Sequence, residues 1–233
     1  MSERKPPVVK PHESYNDVYI AHLRGRRRLA TKNISPGFKV YGEELVEYKG
    51  EEYRLWDPNR SKLAAALLKN LKRLPIKQGS RVLYLGAATG TTSSHVADIV
   101  GRKGVVFCVE FAPRAMRELV MVCERKGNMI PVLGDARFPE RYSMMVDEVD
   151  TIYCDVAQPE QAKLLADNAD MFLKRGGWIL LAIKARSIDV TKKPSEVYRM
   201  EISVLEGRGF NVVQTLNLDP FDKAHSMVLA KYA

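Results

Sequence analysis

Between Arg81 and Tyr232 the chain sets short, uninterrupted apolar runs between stretches of helical periodicity: "RVLYLG" at 81–86, "GVVFCVE" at 104–110, "MIPVLGD" at 129–135, "DTIYCD" at 150–155 and "WILLAIK" at 178–184. None alternates polar with apolar residues, so each reads as a strand buried on both faces. Helical stretches at 91–101, 113–126, 159–174 and 195–208 fall around these runs, and that alternation builds a parallel, doubly wound sheet. The last two strands, "NVVQTLNL" and "HSMVLAKY", follow each other with no helix between. The final strand is therefore expected to enter antiparallel, as the seventh of an α/β sheet.

The upstream third reads differently. Residues 1–13 are rich in Pro and charge and are expected to form a loose arm; "VYIAHL" and "LVEYKGEEYRLW", the latter a hairpin turning at Lys49-Gly50, give a small β-rich domain over 14–56. From Asn59 the spacing of Leu63, Leu67, Leu71 and Leu74 predicts one helix that opens the main domain, 57–233.

With 233 residues the chain fits one full core plus an appendage. Its longest apolar runs are well short of the ~20 residues of a membrane-spanning helix, and the N-terminus lacks a signal-like apolar segment. An intracellular soluble protein with no membrane partner is expected. Cys108, Cys123 and Cys154 are odd in number, without CxxC spacing, and read as buried free thiols; the four histidines also lack ligand spacing, so no metal is expected. The net charge of +9 and the clusters "RGRRR", "KNLKR" and "TKKP" suit a polyanion, RNA or DNA first. Arg26, Arg27, Arg28, Lys192 and Lys193 are candidate phosphate contacts, or plain solvated surface.

The loop "GAATGTT" after the first main-domain strand offers close backbone approach and the N–H groups of a helix start. A dinucleotide fingerprint begun at Gly86 would need Gly at 88 and 91, where Ala88 and Thr91 stand. The methyltransferase pattern fits at Gly86 and Gly90 but has Tyr84 in its acidic position and Ala88 for its middle Gly. Alone, the loop is equally a plain strand–helix turn. Glu110, a little over ~20 residues on, is placed to accept from both hydroxyls of an adenosine ribose, and Phe111 to pack on adenine. Asp135 would accept from the adenine amino group while the Ala136 N–H donates to the ring. Asp155 and Gln158 end the next strand. Four successive strands thus finish in ligand-competent residues on one rim.

These segments, with "VEF", "GDAR", "YCDVAQP", "AIKARSID", "FDKAHSMV" and "RLWDPNRSKLAA", closely resemble the fibrillarin family over essentially the whole chain. The resemblance implies the Rossmann-like fold of class I S-adenosylmethionine methyltransferases and the catalytic subunit of box C/D guide-RNA particles, which 2'-O-methylates ribose in pre-rRNA and tRNA. It implies S-adenosyl-L-methionine as cofactor, held by Gly86, Ala88, Gly90, Thr91, Thr92, Glu110, Phe111, Asp135, Ala136 and the segment Asp155, Val156, Ala157, Gln158. It also implies a reacting centre of Lys62, Asp155, Lys184 and His225. The partners implied are the guide RNA, its target, a Nop-domain scaffold protein and a kink-turn-binding ribosomal-protein-like subunit. Only about a dozen residues precede the fold where eukaryotic members carry a Gly/Arg-rich extension, which implies an archaeal form in the cytoplasm; a eukaryotic form would be nucleolar.

Lys184 is the candidate general base, because burial, Lys62 and the cofactor's positive charge would each favour a neutral amine. Asp155 would orient the lysines, Lys62 hold the hydroxyl, and His225 orient a lysine or the ribose; the two lysines remain interchangeable as base. Each also has an ordinary reading: a solvated helix-start Lys62, a snorkelling Lys184, a His225 satisfied locally. Rival functions are a non-catalytic assembly subunit, an aminopropyltransferase, and a histone glutamine methyltransferase.

Overall fold

The computed structural model describes residues 6–233. Two sheets share one interior. The first joins β1 (Val8–Pro11), β2 (Val18–Leu23), β3 (Arg26–Lys32), β4 (Leu45–Tyr48) and β5 (Glu51–Trp56) in the order β1-β2-β3-β5-β4, every pair antiparallel. Residues 1–5 of the expected arm lie outside the described residues, but Val8–Pro11 pairs with Tyr19–His22, so the ordered sheet begins inside that arm. Pro11 is tolerated because β1 is an edge strand.

The second sheet joins β6 (Arg81–Leu85), β7 (Val105–Glu110), β8 (Met129–Leu133), β9 (Val149–Cys154), β10 (Leu173–Lys184), β11 (Phe210–Asn217) and β12 (His225–Tyr232). The order is β11-β12-β10-β9-β6-β7-β8, with β12 antiparallel to both neighbours, as expected of the last strand. Helices α1 (Lys62–Leu68), α2 (Thr91–Val100), α3 (Pro113–Lys126), α4 (Gln161–Phe172), α5 (Ala185–Ile188) and α6 (Pro194–Gly207) connect them. A 3-10 segment at Pro139–Met145, not foreseen in the sequence, leads into β9.

The strands bury both faces, and their period of two splits the core. Val82, Tyr84, Cys108, Tyr153, Leu180 and Met227 face α1, α2, α3 and the small sheet. Leu83, Leu85, Phe107, Val109, Ile152, Leu181 and Val228 face α4 and α6. All three cysteines are buried and free; burial pushes the Cys154 thiol up to about 12. Among the described residues no helix is long and apolar enough to cross a membrane, and no cluster of three His, Cys, Asp or Glu could hold a metal.

Two expected boundaries shift. The helix from Asn59 stops at Leu68 because Asn70 turns left-handed (φ 61) and closes the end: Asn70 N–H donates to Leu67 O at 3.1 Å and Leu71 N–H to Ala66 O at 3.0 Å. Leu71 is still buried, as the apolar residue just past this cap, so its leucine spacing imitates a longer helix. Likewise α4 ends at Phe172, and β10 starts at Leu173, with a register shift before Trp178 where Gly176 takes φ +72.

The two sheets are locked by buried charge. Arg54 of β5 donates to Glu43 (2.6 Å), to Asp98 of α2 (2.8 Å) and to Ser94 (3.0 Å), and Lys126 of α3 reaches the other Asp98 oxygen at 2.6 Å. Side chains of Arg54, Asp98 and Lys126 are wholly inaccessible. Burial pulls the Lys126 amine down to about 8 against the attraction of Asp98, whereas Arg54 stays above its ordinary value because Asp98 and Glu43 outweigh its burial. His95 lies alongside, stacked on Trp56 at 4.8 Å and hydrogen-bonded to Thr31 and Tyr41, both at 2.8 Å.

Asp98→Asn leaves two buried cations without their shared anion and is expected to cost about 3–5 kcal/mol; chemical denaturation giving a loss under about 1 kcal/mol would refute the lock. The pH response has a definite sign. Burial, then Arg54 and Lys126, hold His95 far below its ordinary range, so it stays neutral in the fold. The unfolded chain takes up that proton below about pH 6.5, so folding stability falls with acidification by about 1.4 kcal/mol per pH unit until the folded histidine itself titrates. In urea titrations over that range the stability difference between wild type and His95→Gln should shrink by this slope; parallel curves would show that His95 is not the group.

Candidate active site

Parallel strands end together, and β12 begins where they end. Leu85, Glu110, Leu133, Cys154 and Lys184 close β6, β7, β8, β9 and β10, while His225 opens β12 directly opposite Lys184 in the ladder. The rim so formed carries a cleft of about 270 Å³. It is lined by Gly86, Ala88, Val109, Glu110, Phe111, Gly134, Asp135, Ala136, Asp155, Val156, Ala157, Gln158, Leu164 and Lys184. Of the residues expected to hold a cofactor, Gly90, Thr91 and Thr92 are outside this lining, at the start of α2, where the Thr92 hydroxyl donates to Ser61 Oγ at 3.0 Å.

The glycine loop is shaped by its neighbours. Gly86 has φ +81, and a Cβ there would sit 2.8 Å from the Asp155 carbonyl oxygen, so only glycine lets β6 and β9 finish this close. Ala88 also takes positive φ (48), held by its N–H donating to Glu110 Oε2 at 2.9 Å. The other Glu110 oxygen accepts from Ala112 N–H at 2.8 Å. Glu110 thus clamps both loops of the cleft, and each of its oxygens keeps a second lone pair. Phe111 is 62% exposed, an open aromatic face at the cleft. Asp135 is gripped by the Arg137 guanidinium at 2.6–3.1 Å, and that hydrogen bonding holds its carboxyl below the usual range.

The four residues proposed for the reacting centre come from α1, β9, β10 and β12. Lys184 Nζ lies 2.8 Å from Asp155 Oδ1 and donates to the Asp155 carbonyl at 2.9 Å; Lys62 Nζ lies 3.3 Å from both carboxylate oxygens. Two amines converge on one carboxylate. His225 does not join them directly: its Nδ1 faces Asp222 Oδ1 at 2.9 Å and the Lys223 carbonyl at 2.8 Å, and Asp222 Oδ2 is 3.4 Å from Lys62. Both Nδ1 neighbours are acceptors, so the hydrogen-bond network puts the ring proton on Nδ1 and leaves Nε2 free.

Sequence reading missed Asp222, although it stands inside "FDKAHS", and it missed Gln161. The buried Gln161 amide donates to Val156 O and its oxygen accepts from Lys184 N–H at 2.9 Å, tying the cleft wall to the lysine's backbone. A first-turn glutamine in a helix carries no signal that would have marked it. Chemically the arrangement offers an open aromatic face, carboxylate oxygens with lone pairs to spare and two amines paired on one carboxylate, a setting suited to a cationic ligand.

A family model described as fibrillarin matches residues 9–233. A fibrillarin-like rRNA/tRNA 2'-O-methyltransferase from Staphylothermus marinus is 58% identical over 225 residues, 96% of each chain. The crystal structure of Aeropyrum pernix fibrillarin with natively bound S-adenosyl-L-methionine superposes with a TM-score of 0.91 at 54% identity, covering 96% of this chain and 97% of that one. A fibrillarin/Nop5p complex contains a chain with a TM-score of 0.85 at 40% identity, covering 95% and 100%.

Gly86→Ala combines a left-handed backbone with a clash on Asp155 and should lower stability by ~1–3 kcal/mol. A denaturation midpoint equal to wild type would mean that the two strand ends part freely.

Proposed function

The chain belongs to the fibrillarin family, and from that membership we infer that it is an S-adenosylmethionine-dependent RNA ribose 2'-O-methyltransferase acting on rRNA and tRNA. The observation that carries the mechanism is the meeting of Lys62 and Lys184 on Asp155 beside the cleft at the strand ends. Gly86, with no Cβ, and Glu110 and Asp135, with acceptor oxygens, fit an adenosyl group bearing a positive charge. Bound there, S-adenosylmethionine supplies an electrophilic methyl group.

What remains for the chain is positioning and proton removal, since a sugar hydroxyl is a poor nucleophile while protonated. Lys184 is proposed as the base, because of the two lysines it alone lines the cleft. Lys62, held between Asp155 and Asp222, is proposed to hold the hydroxyl; His225 fixes Asp222 and so acts as a positioning residue.

The proposed setting is a box C/D guide particle in the archaeal cytoplasm, with guide RNA, a Nop-domain scaffold and a kink-turn-binding subunit. It is supported by the relatives' archaeal sources and by the Nop5p complex of a relative. The chain is proposed to comprise a small β-rich domain, expected over 14–56 but with its sheet beginning at Val8, and a methyltransferase domain over 57–233. Among the rivals, a non-catalytic assembly subunit would have no use for the paired lysines on Asp155.

Lys184→Met should keep S-adenosylmethionine affinity near wild type while methyl transfer to a guide-matched RNA falls by at least ~100-fold. An RNA with a 2'-deoxy target is the control. Calorimetry and labelled-methyl transfer in reconstituted particles check both halves; full activity in the variant removes Lys184 from the base role.

A further inference from the structure

A second hollow, larger than the cofactor cleft, lies away from it. A groove of about 720 Å³ lies along the β2–β3 hairpin, lined by Arg24, Arg26, Arg27, Arg28, Asn59 and Leu68 among others. We propose that this groove is the track for the phosphate backbone of the RNA strand that carries the target ribose. The proposal rests on the reading of the chain as an RNA methyltransferase and deepens it, by saying where the substrate lies.

The hairpin fixes its cations. Arg24 (φ 51) and Gly25 (φ 74) form a tight turn with two left-handed residues, the geometry that suits the twist of a two-residue hairpin. Arg26 and Arg27 are exposed and have no ion-pair partner among the described residues. Arg24 and Arg28 share Glu44 at 3.6 and 3.7 Å, too far for hydrogen bonds, so their donors remain open. Four arginines line a groove whose carboxylates are Glu44 and Asp57 alone. Arginine's planar fork matches phosphate oxygens in pairs.

The groove also leads to the right place. Asn59 and Leu68 bracket α1, whose first residue is Lys62, and at 1.5 Å per residue that helix is only roughly 10 Å long. Arg60, exposed and packed 5.1 Å over the Tyr41 ring, stands between the groove-lining Asn59 and Lys62 in the same segment. A strand in the groove therefore passes within a few nucleotides of the paired lysines. A protein partner fits this surface less well: a protein interface is anchored on apolar and aromatic side chains, and Leu68 is the only large apolar side chain of the lining that is exposed.

The test uses the full chain in reconstituted particles, measuring affinity for guide-matched RNA against salt concentration. Arg26→Ala/Arg27→Ala should weaken RNA binding by roughly tenfold or more and lower the salt slope by about 1–2. S-adenosylmethionine affinity should stay unchanged. Arg102→Ala/Lys103→Ala removes the same charge from the loop before β7, where Arg102 reaches the Ile34 carbonyl beyond the other end of β3 from the hairpin, and should leave binding as in wild type. An unchanged salt slope in the groove variant, an equal loss in the control variant, or loss of the scaffold protein in place of RNA would each overturn the groove assignment. Failure of the wild-type particle to methylate matched RNA would instead overturn the functional reading itself.

Discussion

One carboxylate, Asp98, holds the molecule's two sheets in register. It is wholly buried between Arg54 from the small sheet and Lys126 from α3, and it also accepts from Thr31 and from the Ile34 N–H. Charge this deep is costly to desolvate and is tolerated only when fully paired. The small sheet can therefore dock on α2 and α3 in one orientation, the one that satisfies every partner at once. Apolar packing alone, through Val18, Ile20, Leu29 and Trp56, would tolerate sliding. The buried charge removes that freedom.

The proposed reacting centre depends on a second constraint, that of topology. Parallel strands carry their last residues to one edge, and an antiparallel final strand carries its first residue to the same edge. Lys184 and His225 are therefore ladder partners although 41 positions apart in sequence, and Asp155 is brought beside them by the β9–β10 pairing. The Gly86 close approach sets the remaining gap, because Asp155's backbone sits where a side chain would otherwise project. Functional groups distant in sequence meet through strand order, with no need for a long loop.

Much of this was legible in the residues. Uninterrupted apolar strands forecast burial on both faces, and the missing helix before "HSMVLAKY" forecast the antiparallel strand. What escaped was of three physical kinds. The stop of α1 is a backbone event at Asn70, and the buried Leu71 beyond it keeps the helical spacing intact. Strand β3 hides inside "RRRLATK", where three arginines precede the short apolar core Leu29-Ala30, so it reads as a charge cluster. The partnerships of Asp98, Asp222 and Gln161 are tertiary: each is a common residue type whose meaning comes from partners in other elements, 44 positions away for Arg54 with Asp98 and 23 for Gln161 with Lys184.

The segment from Trp56 to Lys62 connects these constraints. Trp56 is fully buried against His95, within the charge lock; Asp57, Pro58 and Asn59 line the arginine groove; Ser61 caps α1 by accepting from Ala64 N–H at 3.3 Å and takes the Thr92 hydroxyl; Lys62 then enters the reacting centre. Seven residues thus run from the sheet-to-sheet lock, past the groove, to an amine on Asp155. Because the first is immobilised in the core and the sixth is pinned by its cap, Lys62 inherits its placement from the docking of the small sheet. The small sheet is then a structural part of the proposed site, because it sets one of the two amines.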